Sequence, residues 1–367
     1  MILHILNTDK FTEYVILQFA APEMQSKLVV LSFGDEDSQR FSNVDFIRYG
    51  SSEYIALKNN LSVYKAIIFH GLFEPWCTEL IVSAPHNLKI AWVFWGGEVY
   101  GRQDIADSFL AKKTYKAVFW HRVKRFLGYR PKRTSYEVPL SCYRRIDYCL
   151  TDVDEDFEYI QTYSGNKKMK ALWYNYYSVE ETIGSLMDVS CSGKNILVGN
   201  SSSPECNYFE AFDALTELSL EDRAIVVPLS YGEPWLSNRV RKVGYKYFTN
   251  FQPLLEFMPR EEYNKIICSC SVVVMNHYRP QAMGNLLTAL WLGARVYMSK
   301  KSLLYKFFCR IGCLVWSVED DLKASNPHVL AALTNEEREH NRCIIRSIYD
   351  KDVMHRKNLE LVSLLNA

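Results

Sequence analysis

Residues 195–205 read Asn-Ile-Leu-Val-Gly-Asn-Ser-Ser-Ser-Pro-Glu, and this stretch decides the fold. Ile196, Leu197 and Val198 form an unbroken apolar run. A glycine and three hydroxyls end it, and helix-like residues 205–218 follow. A short run that is apolar on every side, then a turn, then a helix, marks a strand of a parallel sheet covered on both faces. The alternation continues towards the C-terminus. Strands are expected at 224–229, 250–255, 271–276, 295–298 and 313–317, and helices at 237–248, 259–268, 282–292 and 302–311. Pro259 stands in the first turn of one of these helices, with Glu261 and Glu262 next, as a helix start requires. Upstream of a polar stretch, 178–194, an earlier series carries strands at 2–6, 27–33, 45–49, 66–70, 89–95, 146–151 and 170–173, with helices at 8–20, 74–84 and 103–110. The pattern therefore starts twice, near Ile2 and near Asn195, which predicts two Rossmann-like α/β units with a ligand cleft between them. A last amphipathic segment, 336–365, is helical by period.

The composition excludes several classes. Of 367 residues, 43 are Lys or Arg and 42 Asp or Glu, a formal charge of +1, so the chain lacks the basic excess of a general nucleic-acid binder. An apolar fraction of 48% with 23% charged residues excludes wholesale disorder. No apolar run reaches the roughly 20 residues that cross a bilayer. The N-terminal MILHILNTDKFTEY has no basic region and no small-residue cleavage site, so it reads as a first strand and not a secretory leader. Ten scattered cysteines without a CxxC pair predict no zinc site and reduced thiols in a cytosolic setting. The 24 Tyr and 8 Trp supply rings with polar tips, suited to sugar faces and membrane interfaces.

Five segments carry possible chemistry. Gly199, Asn200 and Ser201 follow a strand and precede a helix, an environment of N–H groups and small donors that suits a phosphate or serves as a plain cap. In Met-Asn-His-Tyr-Arg-Pro-Gln-Ala-Met-Gly-Asn, residues 275–285, Arg279 stands beside a helix start, where it would grip a diphosphate, and Gly284 would admit close backbone approach. Trp95-Gly-Gly-Glu98 ends a buried strand, and Glu98 there is either a general base for a sugar hydroxyl or a solvated loop acid. Residues 112–133 hold nine Lys or Arg and no acid, interleaved with aromatics at helical spacing. That is the signature of a helix lying on an anionic membrane surface, or of a solvated helix on the first domain; 300–310 is a smaller version. Asp152-x-Asp154 has the spacing of a metal-binding carboxylate pair, or of a helix N-terminal cluster.

Taken together, Ile196–Ser201, Val226-Val-Pro-Leu-Ser-Tyr-Gly232 with Tyr231, the 239–248 helix with Gly244, Tyr263, and Arg279-Pro-Gln-Ala-Met-Gly284 resemble the bacterial TDP-N-acetylfucosamine:lipid II N-acetylfucosaminyltransferase family, glycosyltransferase family 56. Trp95-Gly-Gly-Glu98 is similar to that family's Trp-Gly-Ala-Asp, with glutamate in place of aspartate. The resemblance is concentrated in 195–300. It implies a GT-B fold, two Rossmann-like domains facing each other across a cleft. Residues 1–184 would bind the acceptor and carry the basic-aromatic helix. Residues 185–345 would bind a nucleotide sugar, and 346–367 would form a helix packing back on the first domain. The implied activity is metal-independent hexosyl transfer from a dTDP-, UDP- or GDP-sugar to a polyprenyl-diphosphate-linked saccharide, in surface polysaccharide synthesis on the cytoplasmic face of the bacterial inner membrane. No cofactor or metal is implied. Glu98 would be catalytic. Gly199, Asn200, Ser201, Tyr231, Asn276, Arg279, Gln281 and Gly284 would hold the donor. A non-catalytic scaffold that binds lipid-linked sugar, and a two-domain sugar-nucleotide epimerase, are the competing expectations. A nicotinamide enzyme is disfavoured, because no G-x-G-x-x-G follows either opening strand.

Overall fold

A computed structural model describes residues 1–9, 11–34, 44–128 and 136–367. It divides into two compact units. One comprises Met1–Arg102, Arg133–Ser178 and Lys351–Ala367, the other Gln103–Lys132 and Val179–Asp350.

In chain order the first series is β1 (Ile2–Leu6), α1 (Thr12–Phe19), β2 (Ser26–Ser32), β3 (Val44–Arg48), α2 (Ser52–Asn59), β4 (Ala66–His70), α3 (Pro75–Ser83), β5 (Lys89–Val93) and α4 (Gly97–Tyr100). After α5 (Lys112–Leu127) come α6 (Leu140–Tyr143), β6 (Tyr148–Leu150), α7 (Asp154–Ser164) and β7 (Lys170–Leu172). These seven strands form one parallel sheet in the order β3-β2-β1-β4-β5-β6-β7. The second series is α8 (Val179–Ile183), β8 (Asn195–Val198), α9 (Tyr208–Thr216), β9 (Ile225–Pro228), α10 (Pro234–Tyr247), β10 (Phe251–Leu254), α11 (Arg260–Cys268) and β11 (Cys270–Met275). It continues with α12 (Met283–Leu292), β12 (Arg295–Met298), α13 (Leu303–Arg310), β13 (Trp316–Ser317), α14 (Asn335–Tyr349) and α15 (Lys351–Asn366). Its six strands are parallel in the order β10-β9-β8-β11-β12-β13.

The topology explains the unbroken apolar runs. The central strands β1, β4 and β11 are buried at every residue, because helices cover both faces. In each sheet the strand order reverses once, between β1 and β4 and between β8 and β11. The loops that follow these pairs diverge and leave a crevice at the strands' carboxyl ends.

Three features differ from the sequence reading. Residues 103–110 hold turns and a single 3₁₀ turn, Ala106–Phe109, instead of a helix. The helix of the basic stretch, α5, belongs to the second unit and not to the first. The reason is a contact distant in sequence. Its N-cap residue is Ala111, which has no side-chain acceptor. Glu210 of α9 supplies the missing cap, taking the N–H groups of Lys113 and Thr114 and the Thr114 hydroxyl at 2.5, 3.1 and 2.7 Å. Residues 129–133 of that stretch lie outside the described residues. Third, 336–365 is two helices. The chain turns extended at Asp350, so α14 counts with the second unit and α15 with the first, where Leu361, Val362 and Leu365 join the core. In α13, Leu304, Phe307 and Phe308 are buried, so the apolar stripe of 300–310 faces the protein interior and not a membrane. Among the described residues no helix is long and apolar enough to cross a membrane.

Candidate functional site

In the second unit, the crevice at the β8/β11 reversal gathers three of the expected residues. Gln281 Nε2 donates to Asn200 Oδ1 at 3.1 Å, and Asn200 Nδ2 donates to the Tyr231 hydroxyl at 3.2 Å. Beneath them the Cys206 thiol, raised in pKa by burial, donates to Asn200 Oδ1 and to the Ser201 carbonyl, each at 3.4 Å. Tyr231, in the loop after β9, is 55% exposed, so its ring is open to a ligand. Arg279 lies in the loop after β11 with its Nε 3.6 Å from Glu205 Oε1 and little of either side chain exposed. A diphosphate must therefore compete with Glu205 for this guanidinium. Ala282 adopts a left-handed conformation, φ 62°, immediately before α12. A residue with a Cβ is strained there by on the order of 1 kcal/mol or more, and such strain concentrates at ligand sites. The turn presents the first N–H groups of α12, Gly284 among them, which have no partner within the helix. His277 is buried with neither ring nitrogen partnered among the described residues, and burial holds it neutral by lowering its pKa to about 3.

Two expected ligand residues do other work. The Gly199 N–H donates to the Val274 carbonyl at 2.9 Å, within the sheet. Its φ is 67°, and a Cβ there would stand 2.6 Å from the Tyr208 ring. The glycine makes room for Tyr208, whose hydroxyl donates to the Ser201 and Pro228 carbonyls at 2.7 and 3.1 Å, and not for a phosphate. Asn276 is buried and donates to the Asn207 carbonyl at 3.3 Å, and Asn207 Nδ2 donates back to the Asn276 carbonyl at 3.0 Å. Asn276 faces a different cavity, of about 620 Å³, lined also by Glu210, Tyr278 and Glu319. Ser201 is buried, so its side chain also shapes the loop.

In the first unit, Glu98 stands in the first turn of α4, after Gly96 has turned the chain at φ 90°. Its Oε1 accepts from the Trp92 indole at 3.0 Å and from the Trp95 N–H at 3.1 Å. Its Oε2 is buried with no hydrogen-bond partner among the described residues. Burial raises its pKa to about 7, against the opposing hydrogen bonds, so the carboxyl is poised to exchange a proton near neutrality. The adjacent Trp95 is held by a chain that crosses the core. Trp95 Nε1 donates to the Tyr176 hydroxyl at 2.5 Å, so the Tyr176 proton points to His70 Nδ1 at 3.3 Å. His70 Nε2 then donates to His4 Nδ1 at 3.0 Å, and His4 Nε2 to Ser26 Oγ at 3.1 Å. Desolvation lowers both histidine pKa values, that of His4 to about 3, which the one-way chain requires. Phe11 stacks on Tyr176 at 4.4 Å and meets Trp95 edge-on at 4.6 Å, forming an aromatic shelf at the sheet's carboxyl edge.

Asp152 accepts from Asn175 Nδ2 at 2.9 Å, while Asp154, Glu155 and Asp156 form the first turn of α7, as a helix-terminal cluster does. Asp156 is buried and takes the Tyr100 hydroxyl; burial raises its pKa to about 8. Folded Asp156 thus keeps its proton where the unfolded chain has lost it, and stability falls as pH rises from about 4 towards 8. Between pH 6 and 7.5 the wild type is expected to lose about 2 kcal/mol more than Asp156→Asn, whose amide oxygen still accepts from Tyr100. Urea unfolding at the two pH values measures this, and equal losses would show that Asp156 is ionised when folded.

No family model matches the chain, and no curated protein matches it. Solved structures do. Over 99% of its length, and 98% of the other's, the chain is similar to a glycosyltransferase from Rickettsia africae, with a TM-score of 0.63 at 11% identity. It is similar to Anabaena HepE, crystallised with UDP and glucose, over 99% of both chains, TM-score 0.62 at 11% identity. The lipopolysaccharide outer core galactosyltransferase WaaB matches over the full length of both, TM-score 0.64 at 10% identity.

The fold is GT-B.

In this GT-B chain the crevice at the β8/β11 reversal carries polar side chains converging at the carboxyl edge, and in the first unit Glu98 stands just after β5, the neighbour of β4. Sequence reading missed Glu205, Cys206, Ala282, and the Tyr176–His70–His4 chain. The histidines stand one on each of two adjacent buried strands, and a polar residue inside an otherwise apolar run, as in Ile-Leu-His-Ile-Leu, was the available signal. Ala282 gave none, since alanine does not mark a left-handed turn.

Proposed function

We propose that the chain is a metal-independent glycosyltransferase. It moves a deoxy- or amino-sugar such as N-acetylfucosamine from a nucleotide diphosphate to a polyprenyl-diphosphate-linked saccharide, and it works as a peripheral protein on the cytoplasmic face of the bacterial inner membrane. The observation that carries this reading is the convergence of Asn200, Tyr231 and Gln281 in one crevice of the second unit, with Arg279 two residues before Gln281 in the loop that leads into α12. The likeness to HepE, crystallised with UDP and glucose, supports a nucleotide-sugar donor. In the proposed donor complex, the Tyr231 ring lies against the base. Arg279 and the first N–H groups of α12 take the negative charge that grows on the leaving diphosphate as the sugar–phosphate bond breaks. Glu98 takes the proton of the acceptor hydroxyl. Its pKa of about 7 makes activity rise with pH through neutrality, as the carboxylate form becomes available. The exposed rings and cations of α5 bring the protein to its lipid-borne acceptor.

The test is thermal unfolding with TDP, UDP and GDP at equal concentration. A ligand present at 100 times its Kd stabilises by about 2.7 kcal/mol. One nucleotide is expected to stabilise far more than the others, which names the donor. No stabilisation by any of them would overturn the donor site. Turnover is expected to survive EDTA, because protein cations do the work of a metal. Abolition by EDTA with rescue by Mg²⁺ or Mn²⁺ would transfer the role to Asp152 and Asp154.

A further inference from the structure

Two helices from distant parts of the sequence share one face of the second unit. Both α5 and α10 pack on α9, and His121 of α5 stacks on Trp235 of α10 at 4.2 Å and 11°. α5 carries six Lys or Arg and α10 four, and neither helix has an acid. Between them opens a cavity of about 290 Å³, whose walls include Lys113, Lys116, Trp120, Arg239, Val243 and Tyr247. Its one acid, Asp213 of α9, is bound to Lys113, which leaves the cavity an excess of two positive charges from Lys116 and Arg239. Arg239 lies 5.7 Å over the Phe209 ring, which helps to fix the guanidinium. Two rings of the cavity wall are open to solvent: Trp120 is 58% exposed and Tyr247 42%.

We infer that this cavity takes the phosphate of an anionic phospholipid headgroup while the surrounding rings enter the interfacial layer. This rests on the membrane reading given above and extends it from a single helix to a two-helix face with a defined seat for lipid. Three properties select a headgroup. The volume is small for a drug-sized ligand. The charge excess matches a phosphodiester, with a guanidinium for its oxygens and an ammonium as a second point charge. Trp120 and Tyr247 are at once part of the cavity wall and exposed, and tryptophan and tyrosine favour the membrane boundary.

The experiment is sedimentation of the full chain with vesicles of phosphatidylcholine, with and without phosphatidylglycerol. Wild type is expected to bind only the phosphatidylglycerol vesicles. Lys116→Ser with Arg239→Ser should bind them roughly thirtyfold more weakly, the combined effect of two cations at an anionic surface. Lys65→Ser with Lys170→Ser, the same charge loss on the first unit, should change binding by less than about threefold. Val243→Trp, which fills the cavity without altering charge, should weaken binding about tenfold, as expected where headgroup contacts add to the diffuse attraction. Inorganic phosphate should compete no better than chloride at equal ionic strength. Failure of wild type to sediment would overturn the membrane reading itself. Normal sedimentation by Val243→Trp would overturn the headgroup seat alone, and so would specific competition by inorganic phosphate. If Val243→Trp fails to fold, the two serine pairs decide: equal effects would overturn the seat.

Discussion

Glu98→Gln is expected to lower turnover by about 10²- to 10⁴-fold, the range for losing a general base, while nucleotide binding changes by less than about twofold. The substitution keeps the size of the side chain and its anchoring bonds. The remaining amide oxygen still accepts from the Trp92 indole and the Trp95 N–H, the two bonds that Oε1 now holds. What changes is Oε2, which is buried with no hydrogen-bond partner among the described residues. The variant thus separates two tasks of one side chain, holding the end of β5 and accepting a proton. Single-turnover kinetics with donor in excess measures it. Near-normal turnover would leave Glu98 as a clamp on the two tryptophans and send the search for a base elsewhere.

Arg279→Ala is expected to weaken nucleotide diphosphate binding by about 2–4 kcal/mol, the scale of one or two charge-assisted hydrogen bonds, which is roughly 30- to 1,000-fold. Its neighbour complicates the outcome in a useful way. Removing the guanidinium leaves Glu205, which is little exposed, without its cation and facing the diphosphate. Glu205→Gln in the wild-type background should therefore tighten nucleotide binding, because Arg279 is then released to the ligand. In the double variant, part of the loss is recovered. Titration calorimetry of the three variants gives the cycle. Binding by Arg279→Ala at wild-type affinity would remove Arg279 from the donor site.

The two sheets were legible because a strand buried on both faces is apolar over most of its length, as Ile196–Val198 of β8, Ile225–Pro228 of β9, Val272–Met275 of β11 and Val296–Met298 of β12 read. Where one element became two, or went to another unit, the cause lay outside the local pattern. The helical period runs through Asp350 undisturbed, although the backbone there is extended. α5 was assigned by chain order, but its cap comes from Glu210, 96 residues from Thr114. The candidate site was legible at the level of loops. Loops after β8, β9 and β11 do supply Asn200, Tyr231 and Gln281 to one crevice. Which groups the fold consumes was not legible. Nothing in the sequence says that the Gly199 N–H is spent on Val274, or that Asn276 is spent on Asn207.

The course of the chain also bears on how its two units can be exchanged with those of another GT-B chain. Each unit is discontinuous: the backbone passes between them near Arg102, Lys132, Ser178 and Asp350. A chimera joined at a single point near residue 178, the natural choice from the linear layout, would graft a second unit that lacks its own α5. It would also replace α15, three of whose residues sit in the core of the half that stays. A transplant of the second unit that respects the fold needs four junctions, carrying 103–132 and 179–350 as one cassette and returning to the host sequence at Lys351.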